Sequence, residues 1–294
     1  MTLAQANNAE PIGLIAGAGR APMMVADGIV KSGRKLVTAG LKGFCDPKLV
    51  KYSDEFRWVG LSKMGSWIRY FKSAGVKKAV MIGSVRKSDM YCRFRLLKFL
   101  PDFRSAKIWY CKIRKDKRDA AVLLAVAEEL ASEGIELMSS VEYCSENLAS
   151  AGVMTKTQPS QSVEKDIDFG WSIVCASADL DIGQSLAVKE RDIIAVEAVE
   201  GTDAMINRAG DLCKKGNWTM LKVARSNQDM RFDVPAIGPQ TLENLHKAKC
   251  KCLVIEAEKT LIADRESTLK LADTLGISII GKQRENTGAK GSKK

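Results

Sequence analysis

Histidine is almost missing from this 294-residue chain, with His246 its single instance. A Ser-His-Asp or Cys-His mechanism would have to be built on that one imidazole, so histidine-centred catalysis is not expected. Paired cysteines are missing too: the eight thiols, at positions 45, 92, 111, 144, 175, 213, 250 and 252, form no C-x-x-C pair. That spacing argues against a zinc site or a redox dithiol and for scattered, reduced thiols. His246, Cys250 and Cys252 make the one local cluster, but they straddle a helix end and the strand after it, where ordinary packing explains them. Long apolar runs are also lacking, since no stretch reaches the roughly 18 to 20 residues of a spanning helix. The opening MTLAQANNAEP has neither a basic n-region nor an apolar h-region, so a cytoplasmic, non-secreted protein is expected.

What is present is ample apolar and charged material, 46% and 28% of the residues, enough for one large domain or two ordinary ones. The formal net charge is +11, and most of the excess lies between Arg86 and Arg118, where twelve lysines and arginines face three aspartates. Six aromatics are interleaved there: Tyr91, Phe94, Phe99, Phe103, Trp109 and Tyr110. Rings beside cations suit an anionic membrane surface, and would also suit nucleic acid or a solvated basic face with its rings in the core.

Strands alternate with helices along the first half. Ile12–Ala16 is a short apolar run that breaks at Gly17 and Gly19 into a helix from Pro22 to Lys31. Strands at 35–39, 79–82 and 135–138 alternate with helices at 62–73 and 119–132, which predicts a Rossmann-like parallel sheet over residues 11–148. Small and polar residues from 149 to 160 read as a linker. A mixed α/β catalytic domain is expected over 161–281, with a hairpin at 185–198, helices at 163–178, 202–214, 239–249 and 265–275, and strands at 219–224, 253–256, 260–263 and 277–280. Residues 282–294 are basic, without apolar periodicity, and read as a disordered tail.

The chemistry concentrates at strand ends. Gly17-x-Gly19 places backbone amides at a helix start, where phosphate binds well, although a turn needing glycine for its dihedrals explains it equally. Pro22 occupies the third position of G-x-G-x-x-G, which argues against an ordinary nicotinamide or flavin site. In the second half, Asp181-Ile-Gly-Gln184, Glu200-Gly-Thr202-Asp203, Glu256-Ala-Glu-Lys259 and Asp264-Arg-Glu266 fall at successive junctions. Thr202 and Asp264 could simply cap their helices, but capping does not explain carboxylates at each junction. The stretch QDMRFDVPAIGP, 228–239, alternates ionic and apolar residues. As a strand it would present Asp229, Arg231 and Asp233 on one face, leaving Met230, Phe232 and Val234 for the core, and Pro235 would stop it. Two carboxylates suit a hard divalent cation and the arginine between them a phosphate oxygen, with Lys222 on the preceding strand adding charge. A surface ion-pair ladder remains the competing reading.

Gly13-Leu-Ile-Ala-Gly17-x-Gly19, Gly83-Ser-Val-Arg-Lys87, Asp181-Ile-Gly-Gln184, Glu197-Ala-x-Glu200-Gly-Thr202-Asp203 and Arg231-x-Asp233-x-Pro235-x-x-Gly238 occur in this order. Together they resemble the bacterial UDP-2,3-diacylglucosamine pyrophosphatases of the LpxI type (the DUF1009 family), from about Pro11 to Gly281. The resemblance implies hydrolysis of the nucleotide-lipid pyrophosphate to 2,3-diacylglucosamine 1-phosphate and UMP in lipid A biosynthesis. It further implies a divalent cation, normally Mg2+, two domains with the lipid product held between them, and Asp233 as the residue most essential to catalysis. Arg231, Asp203 and Glu200 complete the expected catalytic set. Asp229 is a second metal-ligand candidate, although relatives carry Glu at this place. Gly17, Gly19, Gly83, Lys87, Gln184, Thr202 and Lys222 are expected to bind substrate. The expected partners are the glycolipid nucleotide and an anionic inner-membrane surface contacted peripherally, with no nucleic acid, and a homodimer is compatible. The competing classes are a nucleotide-cofactor oxidoreductase and a non-enzymatic lipid- or nucleotide-binding protein.

Overall fold

The structure is a computed structural model, and it describes residues 10–85, 100–114, 119–226, 228–231 and 234–284. The chain divides into two compact units, one made of residues 1–145 with Asp229–Asp233, the other of 146–228 and 234–294.

The first unit carries β1 (Ile12–Ala16), α1 (Ala21–Lys31), β2 (Leu36–Leu41), β3 (Glu55–Val59), α2 (Met64–Ser73), β4 (Lys78–Ile82), α3 (Phe103–Ile108), α4 (Asp119–Ser132) and β5 (Glu136–Met138). Its sheet runs β3-β2-β1-β4-β5 and every pairing is parallel, as the βα alternation predicts. This is the doubly wound order whose crevice opens beyond the carboxyl ends of β1 and β4. Ile15, Val37, Ala39 and Ala79 of the sheet meet Trp67, Phe71 and Leu130 of the helices in one buried core. Strand β3 is not foreseen by the sequence reading. It has one neighbour, exposes Arg57 and Trp58, and so lacks the apolar run that betrays a central strand.

The second unit carries β6 (Gly152–Val153), α5 (Gln161–Asp179), β7 (Ser185–Lys189), β8 (Asp192–Val196), α6 (Thr202–Leu212), β9 (Trp218–Lys222), β10 (Ala236–Ile237), α7 (Pro239–Lys247), β11 (Cys250–Glu256), β12 (Leu261–Ile262), α8 (Arg265–Leu275) and β13 (Ser278–Lys282). The main sheet runs β6-β13-β11-β9-β7-β8. Strands β13, β11 and β9 are parallel, while β6, β7 and β8 pair antiparallel to their neighbours. The two-residue period sorts side chains to opposite faces. Leu186, Val188, Leu221 and Val254 pack on Val163, Ile167, Trp171 and Val174 of α5, whereas Ala187, Met220, Leu253 and Ile255 pack with Met205, Leu242 and Ala272 of α6, α7 and α8.

Two boundaries differ from expectation. Residues 149–160 are not a free linker: Ile280 and Gly281 pair with Val153 and Gly152, and Ala149 donates its amide to Thr260. A small, polar sequence does not prevent pairing at a sheet edge, where only backbone is needed. At the other end, Lys282 closes β13 and Arg284 is bonded to Asp179 and Ala224, so ordered structure continues past 281; residues 285–294 lie outside the described residues.

Candidate active site

In the second unit a polar cluster forms at the carboxyl end of β9. Lys222 is 8% exposed, and it is the last residue of β9, directly opposite Ser185, the first of β7. Its Nζ donates to Thr202 Oγ1 at 2.9 Å and reaches Ser185 Oγ at 3.4 Å. Thr202 in turn donates to Glu197 Oε1 at 2.9 Å. The other oxygen of Glu197, Oε2, is shielded from solvent and meets no hydrogen-bond partner among the described residues. A buried ammonium is tolerable only when partners replace its water, and this chain of hydroxyls and carboxylate does so.

Local geometry brings these groups together. Gly201, at φ 83°, turns the chain into α6 so that Thr202 opens the helix beside β9. Gly183 is required where the turn into β7 crosses the end of β8, because a Cβ there would stand 1.8 Å from the carbonyl oxygen of Glu197. The neighbouring acids are engaged locally. Glu200 accepts from Arg208 and from the Ala198 amide, and the hydrogen bonds it accepts at its own and nearby amides and from Arg208 hold its carboxyl below the usual range. Asp203 accepts from Asn244 at 3.0 Å. Gln184 Nε2 donates to Gln228 Oε1 at 3.3 Å, an oxygen that also accepts the Arg225 amide.

Two residues beyond the end of β9, Ala224 is clamped on both sides. Its amide donates to Glu256 Oε2 at 2.8 Å and its carbonyl accepts from Arg284 at 2.8 Å. Arg284 also bonds Asp179 at 2.7 Å. Burial pushes the Asp179 carboxyl up, but Arg284 and Ser226 outweigh it and hold the group below its ordinary value.

The stretch around Asp229 differs from the sequence reading. Residues 228 and 229 are irregular and 230 and 231 form a turn, so none of the four belongs to a strand. Asp229 Oδ1 accepts the backbone amide of Arg231 at 3.0 Å, and both its oxygens accept from the Arg231 guanidinium. An aspartate bonded two residues ahead closes an Asx-turn, which competes with the extended ladder and wins here. Asp229 and Arg231 therefore pair with each other rather than standing apart on one face. Ser139 Oγ donates to the Met230 carbonyl within the first unit. Phe232 and Asp233 lie outside the described residues.

The glycine turn after β1 is an interlock of backbones. Gly17 donates its amide to Ile82, while Ala18 and Ser84 exchange both of their hydrogen bonds, all at 2.9 Å. A Cβ on Gly17 would sit 2.8 Å from the Gly83 carbonyl carbon, and one on Gly83 2.7 Å from that of Gly17. The amides of Gly17 and Ala18 are thus committed to β4's end, and the phosphate cradle expected there loses two donors. Gly19, at φ 99°, stands clear of other groups. Lys87 lies outside the described residues.

For a divalent cation, Asp229 does not fit as it stands, because Arg231 occupies both of its oxygens. Among the described residues no group of three or more His, Cys, Asp or Glu side chains gathers as a ligand set. The residues that the sequence reading missed are Ser185 and Arg284, while Glu197 and Glu256 stood within its motifs and junctions without being given a role in the site. Glu197 was visible inside its motif, five places before Thr202; Ser185 depends on cross-strand register, which one strand's sequence does not encode.

Both halves match family models in chain order, the LpxI N-terminal domain over residues 11–147 and the LpxI C-terminal domain over 150–280. The chain is also similar to the UDP-2,3-diacylglucosamine pyrophosphatase LpxI of Caulobacter vibrioides, 31% identical over 278 residues that cover 92% of this chain and 96% of the relative. With both domain models matched and identity sustained across nearly the full length of each protein, the chain belongs to the LpxI family.

Proposed function

We propose that this protein hydrolyses the pyrophosphate bond of UDP-2,3-diacylglucosamine, releasing 2,3-diacylglucosamine 1-phosphate and UMP in lipid A biosynthesis, with a divalent cation such as Mg2+. The observation that carries the reading is the end-to-end similarity to a pyrophosphatase of that name. Lys222 supports it from the structure: a cation held at a strand end in a largely dry setting suits the negative charge that grows on phosphate oxygens during cleavage. Arg231 is a second cation for the same purpose, released from Asp229 or shared with it. Asp233 positions the attacking water or the cation, and Asp203 and Glu200 complete the catalytic set. A bound divalent ion would supply an activated water and neutralise phosphate charge.

The acylated substrate resides in a membrane, and peripheral contact with an anionic lipid surface belongs to this reading. Leu100, Phe103, Trp109 and Tyr110 are exposed, Phe103 by 87%, next to Lys107, Lys112 and Arg114. Apolar rings beside cations are what a headgroup layer accommodates. No helix among the described residues is long and apolar enough to cross a membrane.

Purified protein incubated with UDP-2,3-diacylglucosamine is expected to release UMP, more slowly after EDTA and again at full rate with added Mg2+. Absence of UMP in every arm would refute the reading. Asp233→Ala is expected to fold and to bind lipid substrate while losing about a hundredfold or more in kcat, the scale of a group acting in the transition state; near-normal turnover would remove Asp233 from the catalytic set.

A further inference from the structure

We infer that Glu197 is a positioning residue for the reaction, holding Lys222 in place through the Thr202 hydroxyl. The inference rests on the proposed pyrophosphatase reading and on the placement of its site at the carboxyl end of β9.

Thr202 has one hydroxyl proton, and it is directed to Glu197 Oε1. That leaves the oxygen's lone pairs for Lys222 Nζ, so the chain runs in one direction, from ammonium through hydroxyl to carboxylate. The hydroxyl is not needed by the helix it opens. Gly201 is the N-cap of α6, and no side-chain capping bond is made. The partner's geometry has a cost as well: Glu197 Oε2 is shielded and unpaired among the described residues, and a lone unsatisfied carboxylate oxygen is unfavourable unless something else requires its position. A lysine stem is long and mobile, and only fixed acceptors keep its ammonium where charge develops. Ser185 Oγ, at 3.4 Å, is a weaker acceptor than the Thr202 hydroxyl at 2.9 Å.

The test measures UMP release from UDP-2,3-diacylglucosamine by Glu197→Gln, Thr202→Val, Thr202→Ser, the Glu197→Gln/Thr202→Val double variant and Lys222→Met, with urea unfolding of each. Glu197→Gln and Thr202→Val are each expected to lower kcat by about ten- to a hundredfold with KM little changed, the effect of a small misplacement. In the double variant the losses should not multiply, because one change removes the charge that ends the chain and the other its linking hydroxyl, and both act through that one chain. Thr202→Ser, which keeps the hydroxyl, should recover at least about tenfold over Thr202→Val. Wild-type kcat in Glu197→Gln, multiplying losses, or no recovery by serine would overturn the inference while an inactive Lys222→Met left the site in place. Wild-type turnover by Lys222→Met would instead overturn the location of the site, and the inference with it. Should Glu197→Gln unfold, the Thr202→Ser and Thr202→Val pair decides.

Discussion

Asp229 and Arg231 are the residues whose chemistry changes most between sequence and structure. The side-chain bond from Arg231 holds the Asp229 carboxyl below its ordinary value. A depressed carboxylate contributes stability that is fully present above the unfolded value of about 3.9 and is lost as pH falls through the folded one. Both side chains are about a third exposed or more, so the contribution is small, about 0.2–1 kcal/mol. Asp229→Ala should therefore lower the urea midpoint slightly at pH 7 and narrow that gap at pH 3; a gap that stays constant would argue against the ion pair. Why alternation misled here is physical. Period two is necessary for a half-buried strand but not sufficient, and a short acid that can reach the amide two residues on offers the backbone a competing bond. The carboxylates at the β8–α6 junction were readable as a group, whereas their individual ties to Arg208 and Asn244 depend on helix faces that a list of junctions does not contain.

At the scale of elements, long amphipathic helices and apolar strands were readable because their periods are strong: α4 and α8 fall where the pattern places them. Short or edge pieces were not, as β3 and β6 illustrate, because neither carries a continuous apolar run: β3 buries only Val59 of its five residues and β6 buries neither of its two. Asp102 supplies a further element-scale feature. Its Oδ1 accepts the Ser105 amide that opens α3, and its Oδ2 accepts the Gly65 amide in the first turn of α2. Burial pushes this carboxyl up, yet the amide bonds prevail and hold it below its usual value. One side chain thus caps two helices and fastens the exposed aromatic segment to the sheet's helical layer. Asp102→Ala should destabilise the protein by about 1–3 kcal/mol, the sum of a lost cap and an orphaned amide, read as a lower urea midpoint. A change under about 0.5 kcal/mol would mean that solvent satisfies both amides.

At the scale of the whole molecule, a net charge of +11 and a basic-aromatic segment predict partition onto anionic vesicles. In flotation the protein should rise with vesicles containing phosphatidylglycerol and remain below with neutral ones, and Phe103→Ser with Tyr110→Ser should weaken the association without abolishing UMP release from detergent-dispersed substrate. Equal recovery on neutral and anionic vesicles would remove charge as the cause. The two-unit α/β plan was readable from the order of elements, but the grouping of 229–233 with the first unit was not, since a sequence does not state which domain a loop packs upon.

Arg284 has a practical consequence for anyone shortening or tagging this chain. The C-terminal domain match ends at residue 280, and a gene trimmed to that boundary would delete the side chain that fastens Ala224, the departure point of the polypeptide toward Arg231. Such a trimmed protein should express and unfold cooperatively yet turn over poorly, while one ending at residue 285 should match the full chain; equal activity of the two would show that the fastening at Ala224 is dispensable.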